Sequence, residues 1–443
     1  YVGVDLSPGG PAEIYIDDIE IYLPPHEIID KLGVLQDDDP AIAGGKFLNA
    51  AFGTFTHEVG KAASGDSNAE EIERLNALGY VGAEMLAPEE KNVVLYDAKR
   101  TYEGLNFYIS GHYPNAVLMD MTGNVLHEWK LNLASDKWPP KDIPRRGSSF
   151  RRAVLLPDGD VIAVAESSHV VRMDSRGEPR WVLVDNYHHD IEIVGADRMY
   201  VLARMARVVP EVNPKRPILE DFVAEIGMDG VERRRVSILR ALLASPFATL
   251  LDRSQLAADV FHTNDLEVLD GRLESRDPAF QAGRILLSLP QISTIAVLDF
   301  DTEKIVWAKK GEWGFLHNPT ILDNGNVLLF DNFSLTRKGL FRASRVLEID
   351  VFTGNIYWQY AGNRNRQFFS QTCGTNQKLP NGNVLISETD NGVAFEVTPD
   401  GETVWRFVNP NRGGDNNELI AKIMEMRRLP SDFPLDWLKT NGS

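Results

Sequence analysis

The chain has 443 residues, 43% apolar and 25% charged, a balance that excludes a disordered or fibrous protein and leaves room for two or three domains. Its formal net charge of −18 repels phosphate backbones and anionic lipid, so nucleic acid and membrane surfaces are not expected partners, although a local cluster of Arg and His can still hold a small anion. The single cysteine, Cys373, excludes an internal disulfide framework and a cysteine-based zinc site, and no apolar run reaches the roughly eighteen residues that a membrane helix needs.

The first segment alternates apolar and polar residues at Val2 and Val4, and again at Ile14, Ile16, Ile19 and Ile21. It reads as the last strands of a partial β-sandwich. Because it starts at Tyr1 in mid-strand, the chain reads as a processed or truncated piece of a longer precursor. A Gly/Ala-rich stretch (41–65) and a short charged helix, Asn68 to Leu78 with Gly79 as its C-cap, complete a linker region, 1–90.

From Lys91 onward one unit repeats. A strand, a turn with Asp and Gly, and a strand that usually closes on Trp occur as LMDMTGNVLHEW (from Leu118), RMDSRGEPRW (from Arg172) and EIGMDGVERRRV (from Glu225). They return as VLDFDTEKIVW (from Val297), EIDVFTGNIYW (from Glu348) and EVTPDGETVW (from Glu396), mostly at a spacing of roughly 50 residues. Five of these hairpins follow an apolar pair, a tight turn and another apolar strand: LLPDGDVIAV, EIVGADRMYVL, LEVLDGRLES, ILDNGNVLLF and KLPNGNVLIS. Asp-Gly and Asn-Gly tolerate positive φ and mark the turns. Each unit therefore supplies about four strands. Such sheets cannot bury both faces alone, so they stack around an axis.

The expectation is an all-β, six-bladed β-propeller over 91–434, with a short tail at 435–443. Two stretches break the rhythm. Residues 237–260 read as a helical insertion, with Leu239, Leu242, Leu243 and Phe247 at helical spacing. Near the end, Asn417 to Arg428 reads as helix and LPSDFPLDWL as extended chain. Both are expected to cover one face of the propeller, the first as a candidate lid.

The innermost strand of each blade lines a propeller's channel. Counting back from each turn puts Arg151, His189, Asn264, His317 and Gly374 at one common opening position, with His262 two residues before Asn264 and with His188 and Asp190 beside His189. Nine histidines are spread over the chain, and four of them fall within two positions of this site. Imidazoles gathered in this way serve a transition metal, or acid–base and nucleophilic chemistry. Asp190 and Asp265 are the only carboxylates near the opening position, and a zinc site usually wants a tight local His pair, so no metal and no cofactor are expected. His26, His57, His112, His127 and His169 lack this placement and read as surface or packing residues.

The openings HHDIEI, FHTNDLEV and LHNPTILDNGNVLLFDN resemble those of the PAPS-independent arylsulfotransferases. So do the lead-in NVVLYDAKRTYEGLNFYIS and the later segment QKLPNGNVLISETDNGVAFEVTPDGETVWRFVNP. The resemblance runs from about Asn92 to about Pro434. It implies a six-bladed propeller that moves a sulfuryl group between phenols through a sulfohistidine. His317, ahead of the LFDN strand, matches the nucleophile. His262 matches the second channel histidine, and His189, or His188 beside it, matches the third. The resemblance also implies an arginine on the strand after the second histidine, where this chain has Leu289 to Gln291. Arg151 or Arg152 is the expected substitute. His188, Arg151, Arg152, Asn264 and Asn318 are the expected substrate-binding residues.

Two functions are carried forward. One is sulfuryl transfer from a phenolic sulfate to a phenol acceptor, in the periplasm or outside the cell. The other is a propeller without chemistry, serving as a binding or scaffold subunit of an extracytoplasmic assembly. Oligomeric state stays open between a homodimer and a place in a larger assembly. A quinone-dependent dehydrogenase shares the Gly/Trp repeats, but the blade number and the lack of an adjacent cysteine pair disfavour it.

Overall fold

The structure, a computed structural model, describes the backbone of 2–5, 12–16 and 19–23, residues 83–138, 149–251, 258–333, 343–362, 367–414 and 416–438 in full, and the backbone of 439–440. The Gly/Ala-rich stretch and the charged helix expected before residue 80 lie outside the described residues. The chain divides into two compact units, Tyr1–Glu71 with Arg253–Leu256, and Ile72–Asp252 with Ala257–Ser443. In the first, β1 (Val2–Asp5), β2 (Ala12–Ile16) and β3 (Ile19–Leu23) pair antiparallel in chain order. These are the strands that the Val and Ile alternation predicts.

The second unit is nearly all β. After β4 (Ala83–Leu86) and β5 (Asn92–Tyr96) come β6 (Leu105–Ser110), β7 (Asn115–Met119) and β8 (Val125–Lys130), paired antiparallel in that order. A four-stranded meander follows, β9 (Phe150–Leu155), β10 (Val161–Ala165), β11 (His169–Met173) and β12 (Pro179–Val184). The next is β13 (Tyr187–Val194), β14 (Arg198–Val209), β15 (Asn213–Gly227) and β16 (Glu232–Ser237). Helix α1 (Ile238–Leu243), capped by the Ser237 hydroxyl, leads out of it and is buried at Ile238, Leu239, Ala241 and Leu242. Among the described residues of 237–260, the helical reading is thus realised as one short helix and a 3-10 turn at Ala248–Leu250.

Two more meanders are β17 (Asp265–Val268), β18 (Ile285–Leu289), β19 (Thr294–Asp299) and β20 (Lys304–Lys310), and then β21 (His317–Ile321), β22 (Val327–Asp331), β23 (Arg345–Ile349) and β24 (Ile356–Ala361). The last is β25 (Thr375–Lys378), β26 (Val384–Glu388), β27 (Val393–Val397) and β28 (Thr403–Val408), extended at its far edge by β5. Each Trp-closing hairpin of the sequence is an antiparallel pair here. Its turn is built locally. Asp120 Oδ1 accepts the Thr122 and Asn124 N–H groups at 2.8 and 3.0 Å, and Gly123 takes φ 90°. One reading is corrected. LEVLDGRLES is not a tight hairpin, because the partner of β17 is β18, reached through a loop that carries the 3-10 turn Pro278–Phe280.

The C-terminal segment corrects a second reading. After β29 (Arg412–Gly413), residues expected as helix form β30 (Leu419–Ala421) and β31 (Ile423–Leu429), and the stretch expected as extended ends in helix α2 (Asp436–Thr440). β31 pairs with β6 and supplies the first strand of the β6–β8 sheet. IMEMRRL has good helix formers, and both of its faces are covered, so no alternation betrays the strand.

The first strands of the sheets touch one another in order: β9 with β13, β13 with β17, β17 with β21, β21 with β25, β25 with β31, and β31 with β9. Buried side chains tie each of these contacts. Arg152 pairs with Asp190 (2.8 Å) and with Glu425. Asp190 accepts the Leu266 N–H at 2.9 Å, Asn318 donates to Asp265 at 3.2 Å, and Asn376 donates to Asn318 at 2.9 Å. Gln377 and Arg428 exchange two bonds, at 2.8 and 3.1 Å. Apolar clusters fill the spaces between consecutive sheets, one of them joining β6–β8 to β9–β11 and another joining β25–β28 to β6 and β7.

The repeated tryptophans act at the outer strands. Trp129 donates its indole N–H to Gly159 O at 2.9 Å, Trp181 to Met228 O at 3.1 Å, Trp358 to Pro399 O at 2.7 Å and Trp405 to Met121 O at 2.9 Å. Each acceptor is a turn carbonyl of the neighbouring sheet. Gly230 is required beneath Trp181, since a Cβ there would sit 2.5 Å from the ring, and its φ is +77°. Trp405→Phe keeps the ring stack but orphans a buried carbonyl, so it should lower unfolding free energy by about 1–3 kcal/mol at unchanged denaturant slope. Trp358→Phe, whose bond is exposed, should cost less in the same urea titration.

Candidate active site

The leading residues of the inner strands carry the expected polar groups, and their backbone is unusual. His189, His262 and Asn318 have φ of 54°, 51° and 48°. The pairing register slips between His188 and Ile191 in β13, and between His317 and Thr320 in β21. Such bulges re-aim side chains. Successive residues of a regular strand face opposite ways, yet His188 and His189 meet each other through their Nδ1 atoms at 2.8 Å.

Around them the site builds outward. The His189 ring meets His262 edge to face, centroids 4.8 Å apart. Glu166, just after β10, accepts the His189 backbone N–H at 3.2 Å, and its other oxygen lies 3.5 Å from Arg204 Nη2. Asp259 holds His262 twice, through the backbone N–H at 3.1 Å and through Nδ1 at 2.5 Å. Asp221 accepts the Thr263 N–H at 2.8 Å, and its second oxygen is 3.7 Å from His188 Nε2. Asn264 donates to Leu316 O at 3.0 Å, and its Oδ1 has no hydrogen-bond partner among the described residues.

His317 is pinned from one side. Its Nδ1 lies 2.9 Å from Phe315 O and 2.8 Å from Asn332 Oδ1. The Asn332 amide group is turned away, donating to Ser370 O at 2.8 Å and Cys373 O at 2.5 Å. Both neighbours of Nδ1 are therefore acceptors, so Nδ1 carries the proton and Nε2 carries the lone pair. Nε2 is buried without a hydrogen-bond partner among the described residues.

Electrostatics keep these rings neutral. Burial, then the Arg151 charge, pushes the His317 pKa down to about 3. Burial and Arg151 also hold His189 well below its ordinary value, and burial with Arg204 does so for His188. Asp221 is pushed up to about 7 by burial and by the neighbouring charge of Asp259. Asp259 stays below the usual carboxylate range. Burial opposes this, and His262 and Arg204 outweigh it.

Arg151, buried, therefore faces His189 and His317, and Arg151, His188, His189, His262, Asn264 and His317 share one neighbourhood. Arg152 and Asn318 belong instead to the belt that ties the inner strands. Arg152 is held by Asp190 and Glu425, and Asn318 by Asp265 and Asn376. The strand after His262 has no arginine. β18 ends at Leu289, and a 3-10 turn, Pro290–Ile292, follows. Of the remaining histidines, His127 meets Trp129 and Trp437 edge to face, His169 packs on Trp138, and His112 lies 2.8 Å from Ser110 Oγ. His26 and His57 lie outside the described residues.

Glu166, Arg204, Asp221, Asp259 and Asn332 were not on the aligned opening position. Asp259 stands three residues before His262, and Asn332 closes the LFDN strand, so both had a local signal. Glu166 follows a second strand, and Arg204 and Asp221 sit on β14 and β15, where only folding brings them in. Donor atoms of Glu166, His188 and His189 lie within 4.8 Å of one another, a spacing compatible with a metal ion. Two guanidinium groups already bring positive charge there, Arg204 at 3.5 Å from Glu166 and Arg151 beside His189, and like charge works against a second cation.

Residues 152–410 match the family model for Arylsulfotransferase (ASST). No curated protein matches the chain. Among solved structures, a protein of unknown function from Bacteroides caccae is 11% identical at TM-score 0.45, covering 73% of this chain and 98% of its own. A streptogramin B lyase is 9% identical at TM-score 0.41, covering 79% and 100%. BamB from Moraxella catarrhalis is 13% identical at TM-score 0.35, covering 77% and 96%. None of these likenesses bears on function.

The depressed pKa of His317 has a sign that can be checked. In the unfolded chain the residue titrates near 6.5, so below that pH the unfolded state takes a proton that the native state refuses, and stability falls as pH falls. His317→Gln removes this loss. Its stability relative to wild type should rise by about 1.4 kcal/mol between pH 7.5 and pH 5.5 in urea titrations. A pH-independent difference would mean that His317 is not held neutral.

Proposed function

Because this chain belongs to the arylsulfotransferase (ASST) family, we propose that it transfers a sulfuryl group from a phenolic sulfate to a phenol acceptor, inside a six-bladed propeller, with His317 as nucleophile. The observation that carries this reading is the fixed tautomer of His317, whose buried Nε2 lone pair lies beside Arg151 and the other channel histidines.

In the first half-reaction the Nε2 lone pair attacks sulfur in line with the ester oxygen. The N–S bond forms as the S–O bond breaks, and the bonding pair leaves on the aryl oxygen. His262 gives that oxygen a proton. In the second half-reaction His262 takes the proton of the acceptor phenol. Its oxygen attacks sulfur, and the N–S pair returns to Nε2. Charge grows on the sulfuryl oxygens and the aryl oxygen during both passages, and Arg151 with the Asn264 side chain offers them a cation and a reorientable amide. The phenolic ring has a matching surface. Phe315, Phe333 and Phe369 make an edge-to-face row at 5.4 and 5.6 Å. They sit two residues before His317, one after Asn332 and one before Ser370, so the row is anchored to the nucleophile's own supports.

Steady-state transfer from 4-nitrophenyl sulfate to a phenol should give parallel double-reciprocal lines, the mark of a two-step exchange. His317→Asn should reduce turnover by about 1,000-fold or more. Arg151→Gln should reduce kcat by about 100-fold. Arg152→Gln should act mainly on stability, since its partners are Asp190 and Glu425. Wild-type protein that transfers no sulfuryl group would favour the alternative, a propeller kept as a binding or scaffold subunit.

A further inference from the structure

Asp259 has no assigned part in this chemistry, and its surroundings give it one. It lies outside the regular strands, and the end of the long β15 strand holds it in place. Leu219 N–H donates to Ala258 O at 2.7 Å, and Leu219 forms a parallel bridge with Asp259. β14 and β15 run well past the paired part of β13, and this overhang is what reaches the 258–260 segment. The backbone then turns left-handed at His262, φ 51°, which brings its ring back over the carboxylate. A non-glycine residue in that region costs energy, and the two bonds to Asp259 hold it there.

The carboxylate uses its two oxygens differently. Oδ1 takes the His262 backbone N–H at 3.1 Å, and Oδ2 takes Nδ1 at 2.5 Å. An ionised carboxylate only accepts, so Nδ1 carries a proton and proton exchange with a substrate runs through Nε2. The side chains of the pair are 6% and 12% exposed, so water does little to screen the bond. Asp221 stands close by but bonds the Thr263 N–H instead, which leaves Asp259 as the partner of the ring.

We infer that Asp259 is a positioning residue that fixes the tautomer of His262 and stabilises the positive charge His262 carries before it protonates the leaving group and regains when it takes the acceptor's proton. This rests on His262 being the acid–base group of the transfer described above. It predicts an effect that depends on the leaving group. Nitrophenolate departs without help, while a methoxyphenolate needs the proton as the S–O bond breaks.

Asp259→Asn keeps the size of the side chain and the acceptor for the backbone N–H, but it cannot accept from Nδ1. The kcat/KM for 4-methoxyphenyl sulfate, which in a two-step exchange reports the first half-reaction alone, should fall about 100-fold and that for 4-nitrophenyl sulfate less than about threefold. The proton spectrum of wild type should hold a resonance far downfield of the amide region, from the Nδ1–H···Oδ2 bond, that both Asp259→Asn and His262→Gln remove. A purely structural role for Asp259 would lower both substrates equally and would overturn the inference. So would survival of the downfield resonance in Asp259→Asn. Wild-type protein inactive on every aryl sulfate would instead defeat the transfer reading, and the resonance would still decide whether the pair exists.

Discussion

Arg152 holds two carboxylates, Asp190 on β13 and Glu425 on β31, and in doing so, across a sequence separation of 273 residues, it joins β31 to the two sheets that hold β9 and β13. The same kind of contact recurs between every neighbouring pair of inner strands, through Asp190 and Leu266, Asn318 and Asp265, Asn376 and Asn318, and Gln377 and Arg428. A buried ion pair is a poor source of net stability, but losing one partner of it costs about 3–5 kcal/mol. Such a belt therefore acts as a condition on register. A strand that slips leaves charged groups buried and unpaired. His188, His189 and His317 stand one or two residues ahead of belt residues on the same strands, and His262 three residues ahead of Asp265, so the belt fixes them too.

That dependence explains how the site keeps rings neutral beside two arginines. Arg151 and Arg204 sit buried among carboxylates and imidazoles. The charge on Arg204 is met by Glu166, and the belt carboxylates occupy Arg152. The Arg151 charge acts on His189 and His317 and lowers the proton affinity of both. For a nucleophile this is useful, because a neutral ring keeps its lone pair. Asn332 adds direction by taking the Nδ1 proton, and its own amide is spent on two backbone carbonyls, so it cannot rotate to offer a donor.

Much of this was legible in the sequence. The Asp-Gly and Asn-Gly turns and the closing tryptophans mark the hairpins, because turns need positive φ and the indoles need a neighbouring carbonyl. The alignment of openings found Arg151, His189, His262, Asn264 and His317, because inner strands begin at equivalent places. The helix reading failed at β31, whose Glu, Met and Arg side chains favour helix in isolation and whose Glu425 and Arg428 find partners in other sheets. The alignment also set Arg151 and Arg152 as equals. The register of β9 against β10 slips at Arg151, and only the fold tells which of the two meets Asp190. Glu166, Arg204 and Asp221 left no local trace, since they arrive from second and third strands. His188 beside His189 needed the bulge in β13, which no residue of HHDIEI announces.

The central claim is that Nε2 of His317 forms a covalent bond to sulfur. The most direct measurement is peptide mapping by mass spectrometry after brief incubation with 4-nitrophenyl sulfate, without acceptor, and a quench in base. The account predicts one added sulfuryl group on the peptide spanning His317, discharged by a later pulse of phenol. Nitrophenol release that reaches the enzyme concentration while the His317 peptide stays unmodified would contradict it.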